Sequence, residues 1–598
     1  MAIASLAGRG WRRTLTLTAG LLMVSGLIVS NLPGQTGKKT ATKKPAPEKE
    51  LPKAIVADKM VTESGVEQVA YINEAIQKAW DENKIKPSDR CSDYEFIRRA
   101  SLDIVGRIAT VPEIQVYLND PPERRRSMLI ERLLKSPEYK TNWANVWTVL
   151  LLTRRGVSKV YQDQMRDWLE EKLESPAAAW DKIVTEIITA SGQTNDNGSV
   201  NFILAHVGEG IKGDKGTMGA FDMVPVTSRT TRLFLGLRTQ CVQCHDHPFN
   251  GDWKQEHFWG INAFFRQVEA PKGRPTMMPQ KAKKAKFAQQ FTLEDNPDFN
   301  RRGIVPYERR SGVLLYTDPT FLDGRKMPKK GFGSRRAALA DFITKSPYFS
   351  KAFVNRMWGH LFGRSFTKDA VDDFGDHNPA SHPELLDKIA EDWATKYQHN
   401  PRDLIRWICN SRAYGLSSVA NKTNDKPEDE SFFARMLLKA MTPEQLFDSL
   451  MTATQAKVGQ SKASKAKLRE NWLARLVLNF GDDEGNETSF NGTVIQALLL
   501  MNGQDINDAI MDKEVGTVAV VLKKRAYSAN AARGAMTDLY LAALNRPPSA
   551  AEFARILNPR MYLLPKSGPP RDPAAFWTGF YQDLFWAILN SNEFILNH

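Results

Sequence analysis

The sequence predicts a mainly α protein in which two helical domains are joined by a small β-containing connector. Three observations carry that prediction. Helix-capping motifs recur along the chain, apolar residues return at helical spacing between them, and strand-like patterning is confined to one Pro-, Lys- and Gly-rich stretch. At 598 residues the chain is longer than one hydrophobic core usually serves, so two or three packed units are expected. Apolar residues at 42% and charged residues at 25% fit ordinary globular composition.

The elements follow in chain order. Arg9, Arg12 and Arg13 precede an apolar run from Leu15 to Val29, broken only by Thr, Ser and Gly, so residues 1–30 read as a signal peptide or N-terminal anchor. The run is shorter than the roughly 20 apolar residues a spanning helix needs. The Arg12-Arg13 pair resembles a twin-arginine signal, but general secretion ranks first. Residues 31–66 are a Lys/Pro-rich linker that would act as a flexible tether. The chain is therefore expected to be exported to the periplasm or cell envelope, with a membrane tether if the N-terminal segment stays uncleaved.

Residues 67–268 form the first predicted helical domain. Thr110 to Glu113 has the T-x-x-E form of a capping box. Met128, Leu129, Leu133 and Leu134 share one helical face, which Ser136-Pro137 ends, and Trp143, Val146, Trp147 and Leu150 mark the next amphipathic helix. Residues 269–332 are the connector, with Gly312 to Thr317 as its clearest strand and Phe287 to Leu293 as the expected partner. Residues 333–598 form the second helical domain. Thr442-Pro443 with Gln445, and Ser549 with Glu552, mark two more helix starts there.

One element recurs at both ends. Leu102 to Arg107, leading to Thr110 and Glu113, parallels Leu541 to Arg546, leading to Ser549 and Glu552; Ser136 to Tyr139 then parallels Ser591 to Phe594, with a longer separation around Pro559 to Pro573. Each copy should form a helix, a tight turn carrying Arg107 or Arg546, a capped second helix, and a later helix ending at Ser136 or Ser591.

The formal net charge of +14 does not imply a nucleic-acid partner. Nine basic against two acidic residues give +7 within residues 1–53 alone, half of the excess. Lys281 to Lys286 and Lys462 to Lys467 read as solvated tracts rather than phosphate-tracking grooves. Four cysteines in a chain of this length do not build a disulfide scaffold. Cys91 and Cys409 stand alone in sequence and are expected to be unpaired, Cys409 as a buried thiol in an apolar helix.

One segment looks chemical. A helix expected over Thr230 to Gln240, whose apolar stripe Cys241 would extend, leads into Cys241-Val-Gln-Cys244-His245-Asp246-His247-Pro248. C-x-x-C-H is the attachment pattern of c-type haem: two thiols one turn apart add to the vinyl groups, and the next histidine turns under the iron. Cys241, Cys244 and His245 are the cofactor-binding candidates, and Met277, Met278 and His257 are candidates for a sixth ligand. Zinc is the alternative, with Cys241, Cys244, His245, His247 and His257 as candidate ligands and Asp246 as ligand or support. A thioredoxin-like dithiol would want its first cysteine at a helix N-terminus, opposite to the expected position. The plainest alternative is a structural turn with no cofactor. Asp372, Asp373, Asp376, His377 and His382 crowd a second stretch that could be a hydrolytic metal site, although helix capping and pairing with Arg356 or Arg364 ranks above that. Arg98, Arg99 and Asp103 read as a partly buried ion network.

These segments together resemble a known family pair. Phe96 to Arg107, Phe234 to Gly236, Cys241 to Phe249, Trp253, Gln255 and Ala263 to Phe265 resemble the planctomycete cytochrome-associated domain. Val354 to Arg364, Val371 to Phe374, Ser381 to Leu386 and Ser411 to Tyr414 resemble the partner domain that follows it. The resemblance covers most of the chain from about residue 70 and departs from the family pattern at Ala109, usually Pro. It implies an envelope location, a planctomycete-like source and domains of unknown function. The expectation is an exported envelope protein with haem or metal in a redox role at the Cys241–His247 segment and an unknown redox or envelope partner. The competing class is a non-catalytic envelope or polysaccharide-associated scaffold.

Overall fold

Three helices begin at the capping boxes that the sequence marks. Thr110, Thr442 and Ser549 each accept the amide three residues ahead, and Glu113, Gln445 and Glu552 reach back to the cap amide. Each box satisfies two of the amides that a helix start leaves without an intrahelical partner. Ser136 closes the helix Arg125–Lys135 and caps Pro137–Leu152. The computed structural model describes residues 65–154, 159–213, 215–248, 250–251, 253–269, 272–277, 287–328, 331, 333–456, 467–473, 504–512, 514–525, 529–557 and 572–598. Residues 1–30, most of the linker, Met278, the tract at 281–286 and nearly all of that at 462–467 lie outside the described residues. No helix among the described residues is long and apolar enough to cross a membrane.

The fold is mainly α, with short antiparallel strands between helices. Both expected strands form, but not as partners. Leu314–Thr317 pairs with Val305–Glu308, whereas Phe287–Leu293 lies between Gly192–Gln193 and Lys272–Met277. Two of these pairings join neighbouring strands across short connections, whereas Gly192–Gln193 reaches Phe287–Leu293 from about a hundred residues away.

Residues Leu51–His598 make one compact unit. One core joins buried residues of segment 67–268 to those of 338–436 and is threaded by aromatic rings: Trp180 packs on Trp147 at 4.0 Å between ring centres, Trp147 stacks on Phe353 at 5.4 Å, and Phe353 on Trp393 at 4.4 Å, while most buried apolar residues from Met441 onward form a second cluster with Leu102 and Ile108. Such pairs add about 0.5–1.5 kcal/mol each beyond area burial.

The duplicated element is present in both copies. Asp93–Val105, Val111–Asn119 and Arg125–Lys135 match Ala529–Leu544, Ala550–Ile556 and Pro573–Leu589. Gly106 and Asn545 occupy equivalent positions with left-handed backbone, φ 77° and 59°. Arg107 then forks onto Glu113 with two 2.9 Å bonds and reaches Glu138 at 3.0 Å. Arg546 forks onto Glu552 with the same two distances and reaches Glu593 at 2.6 Å. The copies also touch: Ala109 N–H donates to Asn545 Oδ1 (3.0 Å), and Asn545 Nδ2 donates to Ala109 O (2.7 Å).

The expected network at Arg98, Arg99 and Asp103 is a buried junction. Asp103 accepts from Tyr414 OH, Lys439 Nζ and Asn597 Nδ2, each at 2.7 Å. Arg98 donates to Ala543 O (3.1 Å) and Phe594 O (2.7 Å), and Arg99 to Leu416 O (2.9 Å). Cys91 and Cys409 are buried free thiols, as expected, and burial pushes the Cys409 thiol far up.

Candidate metal centre

The helix expected over Thr230 to Gln240 is Val224–Leu235, and it stops at Gly236, whose φ of 66° is left-handed. Cys241 therefore does not continue its stripe. A Cβ at Gly236 would stand 2.6 Å from the Phe374 ring, and Phe374 N–H donates to Gly236 O at 2.8 Å. The loop carrying Asp372 to Asn378 thus sits directly on the helix end that leads into the cysteines.

The cysteines occupy a separate 3-10 turn, Cys241–Gln243, closed by Cys244 N–H onto Cys241 O at 3.4 Å. Val242 points into the core, and Gln243 O accepts from Gln255 Nε2 (3.0 Å) and Trp259 Nε1 (3.1 Å). Asp246 Oδ1 accepts Gln255 N–H at 2.9 Å, tying the segment to the start of helix Gln255–Asn262. Both thiols are exposed and free. His245 Nδ1 lies 2.7 Å from Asp246 O. A carbonyl only accepts, so Nδ1 carries a proton, and in the neutral tautomer the lone pair is on Nε2.

His247 is held differently. Its N–H donates to Trp253 O (2.8 Å), and its Nδ1 accepts Asn250 N–H (3.0 Å). The neutral ring therefore carries its proton on Nε2, and a metal held at Nε2 would move that proton to Nδ1 while one held at Nδ1 would take the place of the Asn250 amide, so either mode gives up the Asn250 bond. Burial lowers the His247 pKa, with His377 and His245 adding to the shift and Asp373 opposing it. The ring is accordingly neutral near neutral pH, the form that binds metal.

Across the junction, buried Asp372 anchors the loop. It pairs with Arg232 Nε at 3.1 Å, Arg238 Nε at 3.0 Å and Arg356 Nη2 at 3.7 Å. Arg356 also donates to Leu233 O at 2.8 Å. Asn378 Nδ2 donates to Ala370 O (2.8 Å) and Asp373 O (2.9 Å), fixing the turn between them. This presents Asp373 Oδ2 at 3.2 Å from His377 Nε2, and the His377 ring at 5.2 Å from that of His247. One ligand atom from each of His247, Asp373 and His377 lies within 4.8 Å of the others. A Cβ at Gly375 would be 2.7 Å from both His377 Nδ1 and Asn250 Nδ2, so glycine is what lets the loop and the Asn250 turn close on each other.

The structure thus joins one residue from the first sequence cluster to two from the second. Cys241, Cys244, His245 and His257 lie outside the convergent trio. His257 Nδ1 accepts Lys254 N–H at 3.0 Å and its ring meets Trp253 edge-on. Met277 ends the strand Lys272–Met277. Asp376 is exposed; His382 is buried, with Nδ1 2.9 Å from Ser381 Oγ and its ring against Phe433. Arg356 pairs with the acidic loop as expected, while Arg364 lies 4.0 Å from Glu430. Two imidazoles and one carboxylate suit a zinc or non-haem iron type of ion and leave coordination positions open. The free thiols and the His245 lone pair also fit the donor types of c-type haem attachment.

Two family models match the chain. Residues 71–270 match PSCyt2, a protein of unknown function (DUF1549), and residues 335–559 match PSD1, a protein of unknown function (DUF1553). No curated protein and no solved structure matches. The trio therefore takes His247 from the first matched region and Asp373 and His377 from the second, and the chain belongs to the proteins in which a PSCyt2 domain is followed by a PSD1 domain.

Proposed function

We propose that this is an exported envelope protein that binds a divalent transition-metal ion through His247, Asp373 and His377. The observation that carries the reading is the convergence of their ligand atoms within 4.8 Å from two separately recognised domains. Export is supported by the arginine-led apolar run at residues 1–30. A three-ligand site with open positions gives the bound ion room for an exogenous ligand: zinc there would polarise a carbonyl or activate water, and iron would give the redox role.

The test is metal analysis of full-length protein made in a host with c-type maturation. One equivalent of zinc or iron is expected, with affinity falling roughly tenfold or more in each of His247→Ala, Asp373→Ala and His377→Ala, a loss at least as large as outer-shell changes cause. Metal-free protein that also fails to take up either ion on titration would sink the reading and favour the scaffold alternative. Covalent haem surviving a denaturing gel, with no metal at the trio, would transfer the centre to Cys241, Cys244 and His245.

A further inference from the structure

The metal reading uses no sulfur, so Cys241 and Cys244 need their own account. Both are exposed and free, whereas Cys91 and Cys409 are buried. Cys241 opens the 3-10 turn Cys241–Gln243, and Cys244 caps its end with its N–H on Cys241 O. In that helix side chains three apart eclipse, and three rises of about 2.0 Å put the two Cα atoms about 6 Å apart. That separation lies inside the span disulfides bridge. The turn is anchored from behind by Val242 in the core and by the bonds from Gln255 and Trp259 to Gln243 O. The thiols consequently share one face while the residues between them hold the backbone.

We infer that Cys241 and Cys244 form a reversible dithiol–disulfide pair that exchanges with external disulfides. The reaction balances with a disulfide RSSR as oxidant. One cysteine, as thiolate, attacks a sulfur of RSSR, forming a mixed disulfide and releasing RS⁻. The other, as thiolate, then attacks the cysteine sulfur of that mixed disulfide, closing the Cys241–Cys244 bond and releasing a second RS⁻. Two thiol hydrogens leave the protein and end on two RSH, so the pair is oxidised and RSSR reduced. The anchored turn does not have to unfold for the bond to close. This inference is independent of the metal reading.

The test equilibrates the full chain in buffers from reduced to oxidised glutathione, quenches with an alkylating agent and maps the peptide spanning both cysteines by mass. Expected are two alkyl groups on that peptide in reduced buffer, and loss of two hydrogens with no alkylation in oxidised buffer. Cys91 and Cys409 should alkylate only after denaturation. Cys241→Ser should abolish the internal disulfide and accumulate glutathione on Cys244, while metal content stays that of the unsubstituted chain. Two freely alkylating thiols at every glutathione ratio would overturn the inference, as would disulfide-linked dimers in place of the internal bond, or haem thioethers on both sulfurs. Absence of metal with a normal glutathione response would overturn only the metal reading.

Discussion

Asp103 and Asp373 both draw partners from distant segments, yet one is saturated and the other is open. Asp103 is 1% exposed and takes donors from Tyr414, Lys439 and Asn597, which belong to three separate stretches of the chain. Lys439 also donates to His360 O and Leu361 O. Every contact there joins chain segments that must come together for the fold to exist. Asp373 has 19% of its side chain exposed and faces two histidines at the edge of the same core. A buried carboxylate with fixed donors is a lock, whereas a half-open one facing imidazoles has capacity left for a ligand.

The comparison breaks most simply by removing each carboxylate. Asp103→Ala leaves the buried Tyr414 hydroxyl and the Asn597 amide without their acceptor and the partly buried Lys439 ammonium without its counter-charge, and the expected cost is about 3–5 kcal/mol in denaturant unfolding. Asp373→Ala is expected to cost less than about 1 kcal/mol, as for other partly exposed ion pairs, while lowering metal affinity roughly tenfold or more. Equal losses of stability in the two variants would mean that the open cluster is structural as well.

Acid should weaken the locked region. Burial lowers the His360 pKa to about 4, helped by Lys439 and opposed by Asp103, and burial lowers that of His206 to about 4 as well. Both values lie below the ordinary 6.5. As pH falls below that value the unfolded chain takes up these protons before the folded chain does. Stability from each neutral ring is therefore full above pH 6.5 and is lost as pH falls toward 4, by up to on the order of 3 kcal/mol per ring. His360→Gln should flatten the fall in a pH series of unfolding midpoints. An unchanged slope would show that the ring is protonated without cost.

Gly375 sharpens the open side. Its missing Cβ is what keeps Asn250 and His377 at contact distance. Gly375→Ala should cost about 1–3 kcal/mol by overpacking and should weaken metal binding more than it weakens the buried junction. Full metal affinity in that variant would show that the loop can shift without spoiling the trio.

Much of this was legible because it is local. Capping boxes, the Ser136 boundary and the paired Arg107 and Arg546 turns are set by residues within a few positions of one another, and all appear where the spacing puts them. Strand partnership was not, because Phe287 to Leu293 and Gly312 to Thr317 carry no mark of which neighbour each will pair with. The helix end at Gly236 had a local signal, since glycine favours a left-handed stop, but the apolar stripe beyond it masked that signal. The metal trio joins residues more than a hundred positions apart. Both clusters were visible separately, and what united them is the docking of Phe374 on Gly236 and of three arginines on Asp372, which no spacing rule encodes.

The smallest expected effect separates the two copies of the duplicated element. Thr110 and Ser549 make the same box, and Arg107 and Arg546 fork onto Glu113 and Glu552 with the same distances. Their helices differ in what they bury. Val111–Asn119 places Ile114, Tyr117 and Leu118 in the core, whereas Ala550–Ile556 has no fully buried residue. Fraying the first helix start therefore strains core packing, while fraying the second exposes little that was covered. Thr110→Ala is expected to cost about 1–2 kcal/mol and Ser549→Ala about 0.5 kcal/mol, the two ends of the range for cap removal. The other half of each box survives the substitution, because Glu113 and Glu552 still accept the cap residue's backbone N–H; hydrogen bonds from Arg546, with further help from Ser549, hold the Glu552 carboxyl down at about 2. Amide exchange at Glu113 and Glu552 reads both caps in one experiment. Faster exchange at Glu552 with a global loss of only about 0.5 kcal/mol is the expected result for Ser549→Ala, and a global loss as large as that of Thr110→Ala would make the second copy as integral to the core as the first.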